Sequence, residues 1–292
     1  MRILVLGGEG MLGHKAFQIF SRYFDTYVTF RSFDPPLKHT NIFDEKKIID
    51  KIDAFEFDSI KKAISLTEPN IVINCIGIIK QLKEVQNRRI SIYINSLFPH
   101  LLVEYCTALG SKLIHISTDC VFSGKKGHYT EDDVSDAEDI YGKTKYLGEL
   151  DYGNSLTIRT SIIGHELFSH VSLVDWFLSQ KNKVVTGYKN AIYTGFPTIT
   201  LCYEIVRLIN NYPQLTGLFH VSSEKISKFN LLSIIKKNYK INVTIKPDED
   251  YHCDRSLNSE KYMRLTNFHP QPWEEMIHQM HEDYLNYKYR IE

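Results

Sequence analysis

The amino-acid sequence predicts an α/β protein built on a doubly wound parallel sheet. Two observations support this prediction. Short β-branched apolar runs alternate with helical patterns from the first residues as far as Arg159, and a cluster of glycines directly follows the first run. Strands that alternate with helices in this way pair in parallel and are covered by helices on both faces of the sheet.

The individual elements are predicted from changes between strand and helix periodicity. The expected strands are Arg2–Leu6, Thr26–Phe30, Ile71–Cys75, Lys112–Ile116 and Ser155–Arg159. The expected helices are Met11–Tyr23, Ser59–Leu66, Ile90–Leu109 and a segment that runs from Ile140 through Leu150.

The pattern becomes less regular beyond Ser161, which predicts a second, smaller α/β lobe. The larger domain is expected to comprise residues 1–162 and, where the chain returns to the sheet, about 196–221. The C-terminal lobe is expected to comprise about 163–195 and 222–292.

Composition and charge exclude several classes of function. The chain of 292 residues has 35 Lys and Arg and 35 Asp and Glu, so it lacks the overall positive charge used to bind nucleic acid or an anionic membrane. Its apolar stretches are shorter than the roughly 18 residues of a membrane span, and a strand rather than a signal peptide is predicted from Arg2. The five cysteines include no C-x-x-C pair, so neither a disulfide framework nor a zinc site is expected. We therefore expect a cytoplasmic protein that acts on a small molecule.

The glycine cluster has the spacing of a dinucleotide-binding turn. Gly7, Gly10 and Gly13 follow a predicted strand, and Met11 and Leu12 begin the predicted helix. Glycines at these positions let the backbone approach a pyrophosphate, whose charge is met by the helix N-terminus. The alternative is a tight turn without a ligand, but the strand–turn–helix context favours dinucleotide binding and a Rossmann-type fold.

The end of the second predicted strand indicates which dinucleotide is bound. A site selective for NAD usually has an acidic residue there to bind the ribose 2′-hydroxyl, whereas this sequence has Arg31 and Ser32. Because arginine suits a 2′-phosphate, the sequence predicts a preference for NADPH and allows NADH as the other cofactor. The alternative is a solvated arginine at the end of a strand.

A tyrosine and a lysine four residues apart form a third motif. Tyr141 and Lys145 lie on one face of a predicted helix, and Ser117 and Thr118 follow the strand that precedes it. A nearby ammonium stabilises a phenolate, so we expect the pKa of Tyr141 to fall toward neutrality, where the tyrosine can exchange a proton with a substrate oxygen.

These motifs resemble those of the dTDP-4-dehydrorhamnose reductase family, which are extended short-chain dehydrogenases/reductases. The central matching segments are STDCVFSG at 117–124, GHYTEDD at 127–133 and YGKTKYLGE at 141–149. The resemblance covers essentially the whole chain, since YTGFPT, GLFH and RSLNSEK in the second half also match.

The resemblance implies roles for individual residues. Tyr141 would donate a proton, Lys145 would bind the nicotinamide ribose and tune the tyrosine, and Thr118 would hydrogen-bond the reacting oxygen. Asp119 and Cys120 would contact the substrate, although the family commonly has tyrosine where this sequence has Cys120.

Weaker candidates lie on the cofactor side. Cys75, Ile76 and Gly77 would run beneath the dinucleotide, because the resembling family places a stretch of small residues there. Asp58 would meet the adenine, and the alternative is that it caps the helix that begins at Ser59.

Three further candidates lie at the nucleotide-sugar end of the predicted site. They are Lys80, Tyr193 and Arg255. An arginine suits a diphosphate, whereas Lys80 is equally compatible with a solvated lysine in a loop.

Other chemistries at STDCVFSG are disfavoured. Related dehydratases have a glutamate where this sequence has Cys120, and related epimerase-reductases have a cysteine where it has Asp119. A hydrolase would need His115 as the base for Ser117, but a histidine within a strand is more often structural. The acidic residues of GHYTEDD match no known metal-binding loop.

The resemblance implies an NADPH-dependent reductase of the C4 keto group of a nucleotide-linked 4-keto-6-deoxy sugar, in surface-glycan biosynthesis. The larger domain would bind NADP and the smaller lobe the nucleotide sugar. The STDCVFSG form looks closest to reductases of UDP-linked 2-acetamido-2,6-dideoxy-4-hexuloses, which form UDP-N-acetyl-L-rhamnosamine, with dTDP-4-dehydrorhamnose as the next substrate. The alternatives are a nucleotide-sugar epimerase and a non-catalytic NADP-binding subunit like that of methionine adenosyltransferase. The expected partners are the nucleotide sugar and, in a homodimer, a second copy of the chain.

Overall fold

The computed structural model of the chain describes residues 1–34, 37, 40, 42–80, 83–168 and 171–286. The predicted domain boundaries fall within these ranges. The last residues of the predicted C-terminal lobe, 287–292, lie outside them.

The strands are numbered in chain order. They are β1 (Arg2–Leu6), β2 (Asp25–Thr29), β3 (Ile48–Ile49), β4 (Ile71–Asn74), β5 (Lys112–Thr118), β6 (Ser155–Thr160), β7 (Ile162–Ile163), β8 (Val184–Tyr193), β9 (Phe196–Pro197), β10 (Gly217–His220), β11 (Ile226–Ser227) and β12 (Thr244–Asp254). Seven of them form a parallel sheet in the order β10-β6-β5-β4-β1-β2-β3.

The α-helices connect these strands and are numbered in the same way. They are α1 (Met11–Phe20), α2 (Phe57–Thr67), α3 (Arg88–Ile92), α4 (Phe98–Ala108), α5 (Ile140–Leu147), α6 (Leu173–Leu178), α7 (Thr198–Asn211), α8 (Lys228–Tyr239), α9 (Glu260–Thr266) and α10 (Trp273–Asn286). A π-helical turn, Tyr93–Leu97, joins α3 to α4.

Side chains that alternate along β1 pack against helices on opposite faces of the sheet. Ile3 and Val5 belong to a cluster with buried residues of α1 and α7. Leu4 and Leu6 belong to a second cluster with residues of α2 and α4. Since a parallel sheet covered on both faces is a doubly wound fold, the predicted fold class is confirmed.

The differences from the predicted elements have local causes. The first helix ends at Phe20 rather than Tyr23, because Arg22 and Tyr23 make tighter hydrogen bonds to residues three positions earlier. The strand expected to end at Ile116 continues to Thr118 and pairs with β6 up to that residue. β3 was not predicted, because two residues are too few to show a period.

The remaining strands form two small sheets. One has the order β11-β8-β12, with β8 and β12 parallel, and the other pairs β7 with β9. β10 lies beside β6 at the edge of the large sheet. The division of the chain into two domains stays a prediction. Within the described ranges, the helices are all too short or too polar to span a membrane.

Candidate active site

The glycine turn joins β1 to α1 at the carboxyl edge of the large sheet. Gly7 has a φ of +87°, and a Cβ on Gly13 would lie 1.9 Å from the Gly7 carbonyl oxygen. Gly10 is the N-cap of α1, and Met11 and the buried Leu12 begin the helix. The glycines therefore leave the backbone of the turn and the N-terminus of α1 accessible. This arrangement suits a pyrophosphate.

The chain after β2 carries Arg31 and Ser32 at the same edge. The Arg31 side chain is 70% exposed, and its Nη2 lies 3.6 Å from Oε2 of Glu9 in the glycine turn. The backbone N–H groups of Arg31 and Ser32 donate to Glu9 Oε1 at 3.1 and 3.4 Å. Glu9 was not predicted, because the glycine spacing does not specify the residues between the glycines.

The segment after β4 lies against the glycine turn. A Cβ on Gly7 would meet Ile76 Cγ1 at 3.0 Å, and the N–H of Cys75 donates to the Leu6 carbonyl oxygen at 3.1 Å. Cys75, Ile76 and Gly77 are partly buried. The structure therefore brings this predicted segment to the same edge of the sheet as the glycine turn.

Asn95, in the π-helical turn, connects this segment to α5. Its Oδ1 accepts the N–H of Ile78 at 2.9 Å, and its Nδ2 donates to the Ile78 carbonyl oxygen at 3.0 Å and to Thr144 Oγ1 at 3.3 Å. A Cβ on Gly148 would lie 1.9 Å from the Asn95 carbonyl oxygen. The position of α5 therefore depends on this turn, which sequence reasoning missed because a π turn has no clear sequence pattern.

Tyr141 and Thr118 meet at the carboxyl end of β5. The Tyr141 and Thr118 side chains are neighbours, and Thr118 acts to lower the pKa of the phenol. The Thr118 hydroxyl accepts the N–H of Cys120 at 3.1 Å and donates to Asp119 Oδ1 at 3.2 Å. The approach is close because the residue after Tyr141 is a glycine: a Cβ on Gly142 would lie 2.2 Å from the Cys120 carbonyl oxygen.

The N-cap of α5 is Asp139, whose Oδ1 accepts the N–H of Gly142 at 2.8 Å. Its other carboxylate oxygen, Oδ2, pairs with Lys80 Nζ at 2.7 Å. Both side chains are exposed. Lys80, one of the predicted substrate residues, is thus held at the start of the helix that carries Tyr141.

The prediction that the pKa of Tyr141 falls toward neutrality is wrong for this arrangement. Burial raises the pKa of Tyr141 above its ordinary value, and the neighbouring Cys120 and Asp119 add to the increase, whereas the neighbouring Thr118 acts in the opposite direction. The reason is that removal from water outweighs the attraction expected from Lys145. Tyr141 therefore holds its proton at neutral pH.

Lys145 lies one helical turn after Tyr141 and is buried. Its Nζ donates to the Ile116 carbonyl oxygen at 2.7 Å. Burial lowers the pKa of Lys145 to about 8, against the attraction of Glu149 and Cys75. The ammonium is therefore charged at neutral pH but loses its proton under mildly alkaline conditions.

This pKa predicts a specific pH dependence of stability. Between about pH 8 and the ordinary value of 10.5, the unfolded chain holds a proton on Lys145 that the folded chain has lost, so the free energy of unfolding rises with pH. From pH 7 to 9.5, we expect the wild type to gain roughly 2 kcal/mol relative to Lys145→Met in urea denaturation. Lys143→Met replaces an exposed lysine of the same helix. Its free energy of unfolding should differ from that of the wild type by an amount nearly independent of pH. A constant difference for Lys145→Met would contradict the lowered pKa.

A buried ionic network lies behind Lys145. Arg159 in β6 pairs with Glu149 through Nε at 2.8 Å and Nη2 at 2.5 Å, and both side chains are less than 10% exposed. Ser117 Oγ donates to the same carboxylate at 2.5 Å. Arg159 Nη1 donates to His220 Nε2 at 2.7 Å, which joins β6 to β10.

The same contacts exclude a hydrolase triad at this segment. Ser117 is hydrogen-bonded to Glu149, whereas His115 Nδ1 is bonded to Asn74 Nδ2 at 3.1 Å. Burial lowers the pKa of His115 well below its ordinary value. The interpretation of His115 as a structural residue of the strand agrees with these contacts.

Asp119 and two cations form the charged part of the site. Asp119 is buried, and burial raises its pKa against the attraction of Arg255 and Lys228. The Nε of Arg255 donates to the Phe122 carbonyl oxygen at 2.8 Å. The Nζ of Lys228 lies 4.8 Å from the centre of the ring of Tyr193. Of the predicted substrate residues, Asp119, Tyr193 and Arg255 are therefore close to one another.

Lys228 was missed by the sequence analysis. It is the first residue of α8, whose N-cap is Ser227, so its local pattern is that of an ordinary helix start. Burial lowers the pKa of Lys228 against the attraction of Asp119 and Cys120. Its place beside Asp119 depends on how the C-terminal half folds, which no local signal reveals.

Cys120 is a protonated thiol in this site. Burial raises the pKa of Cys120 to about 12, and the neighbouring Asp119 adds to the increase. A thiol with this pKa carries almost no thiolate at neutral pH, so the raised pKa agrees with a packing role rather than acid–base catalysis.

Asp58 does not occupy the N-cap position considered for it. The N-cap of α2 is Glu56, and Asp58 lies inside the first turn, where its side chain is 92% exposed and pairs with Lys61 at 2.9 Å. The contact to adenine expected of Asp58 stays a prediction. Within the described ranges, the His, Cys, Asp and Glu side chains do not form a group of three that could hold a metal ion.

The fold and the site together define a protein of the extended short-chain dehydrogenase/reductase class. The chain belongs to the RmlD substrate-binding domain family, whose model matches residues 1–286. This result confirms the family predicted from STDCVFSG and YGKTKYLGE.

The similar proteins include a polysaccharide biosynthesis protein and a subunit of an adenosyltransferase. The spore coat polysaccharide biosynthesis protein SpsK of Bacillus subtilis is 32% identical over 180 residues, which are 58% of this chain and 60% of SpsK. Methionine adenosyltransferase 2 subunit beta of Pongo abelii is 30% identical over 255 residues, 80% of this chain and 71% of that protein. The alignment with the mouse subunit covers 41% of that protein. Less than two thirds of SpsK and of the mouse subunit is therefore matched.

Solved structures share the fold. The dTDP-4-dehydrorhamnose reductase of Bacillus anthracis, solved in complex with NADP, superposes with a TM-score of 0.78 at 22% identity and covers 97% of this chain and 99% of its own. At this identity the likeness establishes the fold alone.

Proposed function

We propose that this chain is an NADPH-dependent reductase that converts the C4 keto group of a nucleotide-linked 4-keto-6-deoxy sugar to a hydroxyl. The observation that carries the proposal is that Thr118 and Tyr141 are neighbours at the carboxyl end of β5. Lys145 lies one turn behind this pair, and the glycine turn lies at the same edge of the sheet. Membership of the RmlD substrate-binding domain family supports the proposal.

The cofactor site would consist of the glycine turn, the segment 75–77 and Arg31. Gly7 and Gly13 leave the backbone accessible, and the exposed Arg31 suits a 2′-phosphate. When bound, NADPH would supply a hydride to C4 of the sugar. The similarity to a reductase solved with NADP supports this choice of cofactor.

Tyr141 and Thr118 would act on the carbonyl oxygen of the sugar. As that oxygen becomes negative, Tyr141 would give it a proton while the Thr118 hydroxyl stabilises it by a hydrogen bond. The raised pKa of Tyr141 keeps the proton available at neutral pH. The Lys145 ammonium, with a pKa of about 8, would stabilise the phenolate left behind.

The nucleotide sugar would lie between Asp119 and the cations of the C-terminal half. Arg255 and Lys228 suit the negative charge of a diphosphate, whereas Asp119 suits sugar hydroxyls. We favour a UDP-linked 2-acetamido-2,6-dideoxy-4-hexulose as substrate and UDP-N-acetyl-L-rhamnosamine as product, with dTDP-4-dehydrorhamnose next. The similarity to a polysaccharide biosynthesis protein agrees with a sugar substrate. The homodimer stays a prediction.

The test is loss of reduced-nicotinamide absorbance when the pure protein and NADPH meet 4-keto-6-deoxy sugars generated from UDP-GlcNAc or from dTDP-glucose. We expect rapid oxidation with the UDP-linked sugar. Oxidation with the dTDP-linked sugar alone would overturn the choice of nucleotide but not the reductase. Conversion of a sugar without net oxidation of NADPH would indicate an epimerase instead.

A non-catalytic subunit is the second candidate. It is favoured by the similarity to methionine adenosyltransferase 2 subunit beta over 80% of this chain. NADPH binding without oxidation of the cofactor by any of these sugars would favour this function. Purification from the native cell, followed by identification of a bound partner protein, would then be the deciding measurement.

A further inference from the structure

We propose that Glu9 sets the coenzyme specificity of the site by holding a carboxylate where the ribose 2′ substituent is recognised. The inference rests on the proposed dinucleotide site and concerns a residue for which that proposal gave no role. Glu9 lies between Gly8 and Gly10 of the glycine turn.

The geometry brings three donors after β2 to this one carboxylate. Glu9 Oε1 accepts the backbone N–H groups of Arg31 and Ser32 at 3.1 and 3.4 Å. Glu9 Oε2 lies 3.6 Å from Arg31 Nη2. The Ser32 hydroxyl donates to a second acid, Asp34, at 2.7 Å. The Glu9 carboxylate thus occupies hydrogen-bond donors that would suit a phosphate.

The end of the second strand is where such folds distinguish a 2′-hydroxyl from a 2′-phosphate. An acid at this place accepts a hydrogen bond from the hydroxyl, whereas an arginine pairs with the phosphate. In this chain both kinds of residue are present: the acid is Glu9 in the glycine turn, and the arginine is Arg31 after the strand. The Glu9 carboxylate therefore opposes the preference for NADPH that Arg31 indicates. The glycine spacing alone does not predict this carboxylate.

A 2′-phosphate carries roughly −1.5 to −2 charges at neutral pH, so it must displace Glu9 or lie beside it. The Glu9 side chain is 30% exposed and that of Arg31 70% exposed, so both can move without disturbing the core. NADH has no such conflict, because its 2′-hydroxyl can donate to the carboxylate. Glu9 thus lowers the preference for NADPH over NADH.

The experiment compares the affinities of NADPH and NADH for the wild type and for Glu9→Gln by isothermal titration calorimetry, without a sugar. We expect the ratio of the NADH Kd to the NADPH Kd to rise at least about tenfold in Glu9→Gln, mainly because NADPH binds more tightly. Addition of Arg31→Ala to Glu9→Gln should abolish the gain. The control is Glu104→Gln, which removes the same charge from an exposed position on α4 and should leave the ratio unchanged.

A ratio that stays within about twofold of the wild type in Glu9→Gln, while both dinucleotides still bind, would overturn the role of Glu9 and leave the reductase proposal intact. If the wild type bound neither dinucleotide, the cofactor site itself would be overturned, and this inference with it. Circular dichroism of each variant checks that the fold is retained.

Discussion

Replacement of Tyr141 by phenylalanine is expected to lower turnover by at least about a hundredfold, with little change in NADPH affinity. In the proposed reaction the phenol supplies the proton that the C4 oxygen acquires, and the neighbouring Thr118 cannot replace it because its hydroxyl is a weaker acid. Single-turnover oxidation of NADPH, combined with calorimetric binding, separates the chemical step from binding of the cofactor.

Tyr146→Phe is the matched control. This tyrosine lies on the same helix, but its side chain is 42% exposed, so we expect turnover close to that of the wild type. Near-normal turnover in Tyr141→Phe would contradict the role of Tyr141 as the proton donor. A loss in both variants would point to damage to α5 instead.

Arg159→Met is expected to destabilise the folded protein by about 3–5 kcal/mol, because the buried carboxylate of Glu149 loses its paired guanidinium. The same change removes a donor to His220 and so weakens the connection between β6 and β10. The measurement is urea denaturation at neutral pH, followed by circular dichroism.

Two further variants identify the cause of the stability lost in Arg159→Met. Glu149→Leu combined with Arg159→Met removes both charges and should recover much of the lost stability. Arg264→Met breaks an exposed pair with Glu260 on α9 and should cost less than about 1 kcal/mol. If the double variant were as unstable as Arg159→Met, the loss would come from packing rather than from an unpaired charge.

The parts of the site that could be predicted from sequence are those formed by local patterns. The glycine turn follows its strand directly, so Gly7, Gly10 and Gly13 needed no knowledge of the fold. Tyr141 and Lys145 are one helical turn apart, so their shared face follows from the helix period alone. The doubly wound sheet could be predicted because strand and helix patterns alternate along the chain as far as Arg159.

The parts that could not be predicted depend on contacts between distant segments. Glu9 reaches Arg31 only because β1 and β2 are neighbours in the sheet. Lys228 reaches the surroundings of Asp119 from a helix in the other half of the chain. The pKa of Tyr141 was predicted with the wrong sign because the sequence shows the nearby lysine but not the extent of burial.

The place of β10 affects how the protein can be made. His220 in β10 contacts Arg159 in β6 across 61 positions of the chain, so during translation β6 is complete long before its outer neighbour exists. At synthesis rates of about 5–20 residues per second, the nascent chain exposes the edge of β6 for several seconds. An unpaired strand edge invites pairing with other chains. Truncated or stalled nascent chains that end before Gly217 should therefore be the species most prone to aggregate on the ribosome, and the ones that most need a chaperone.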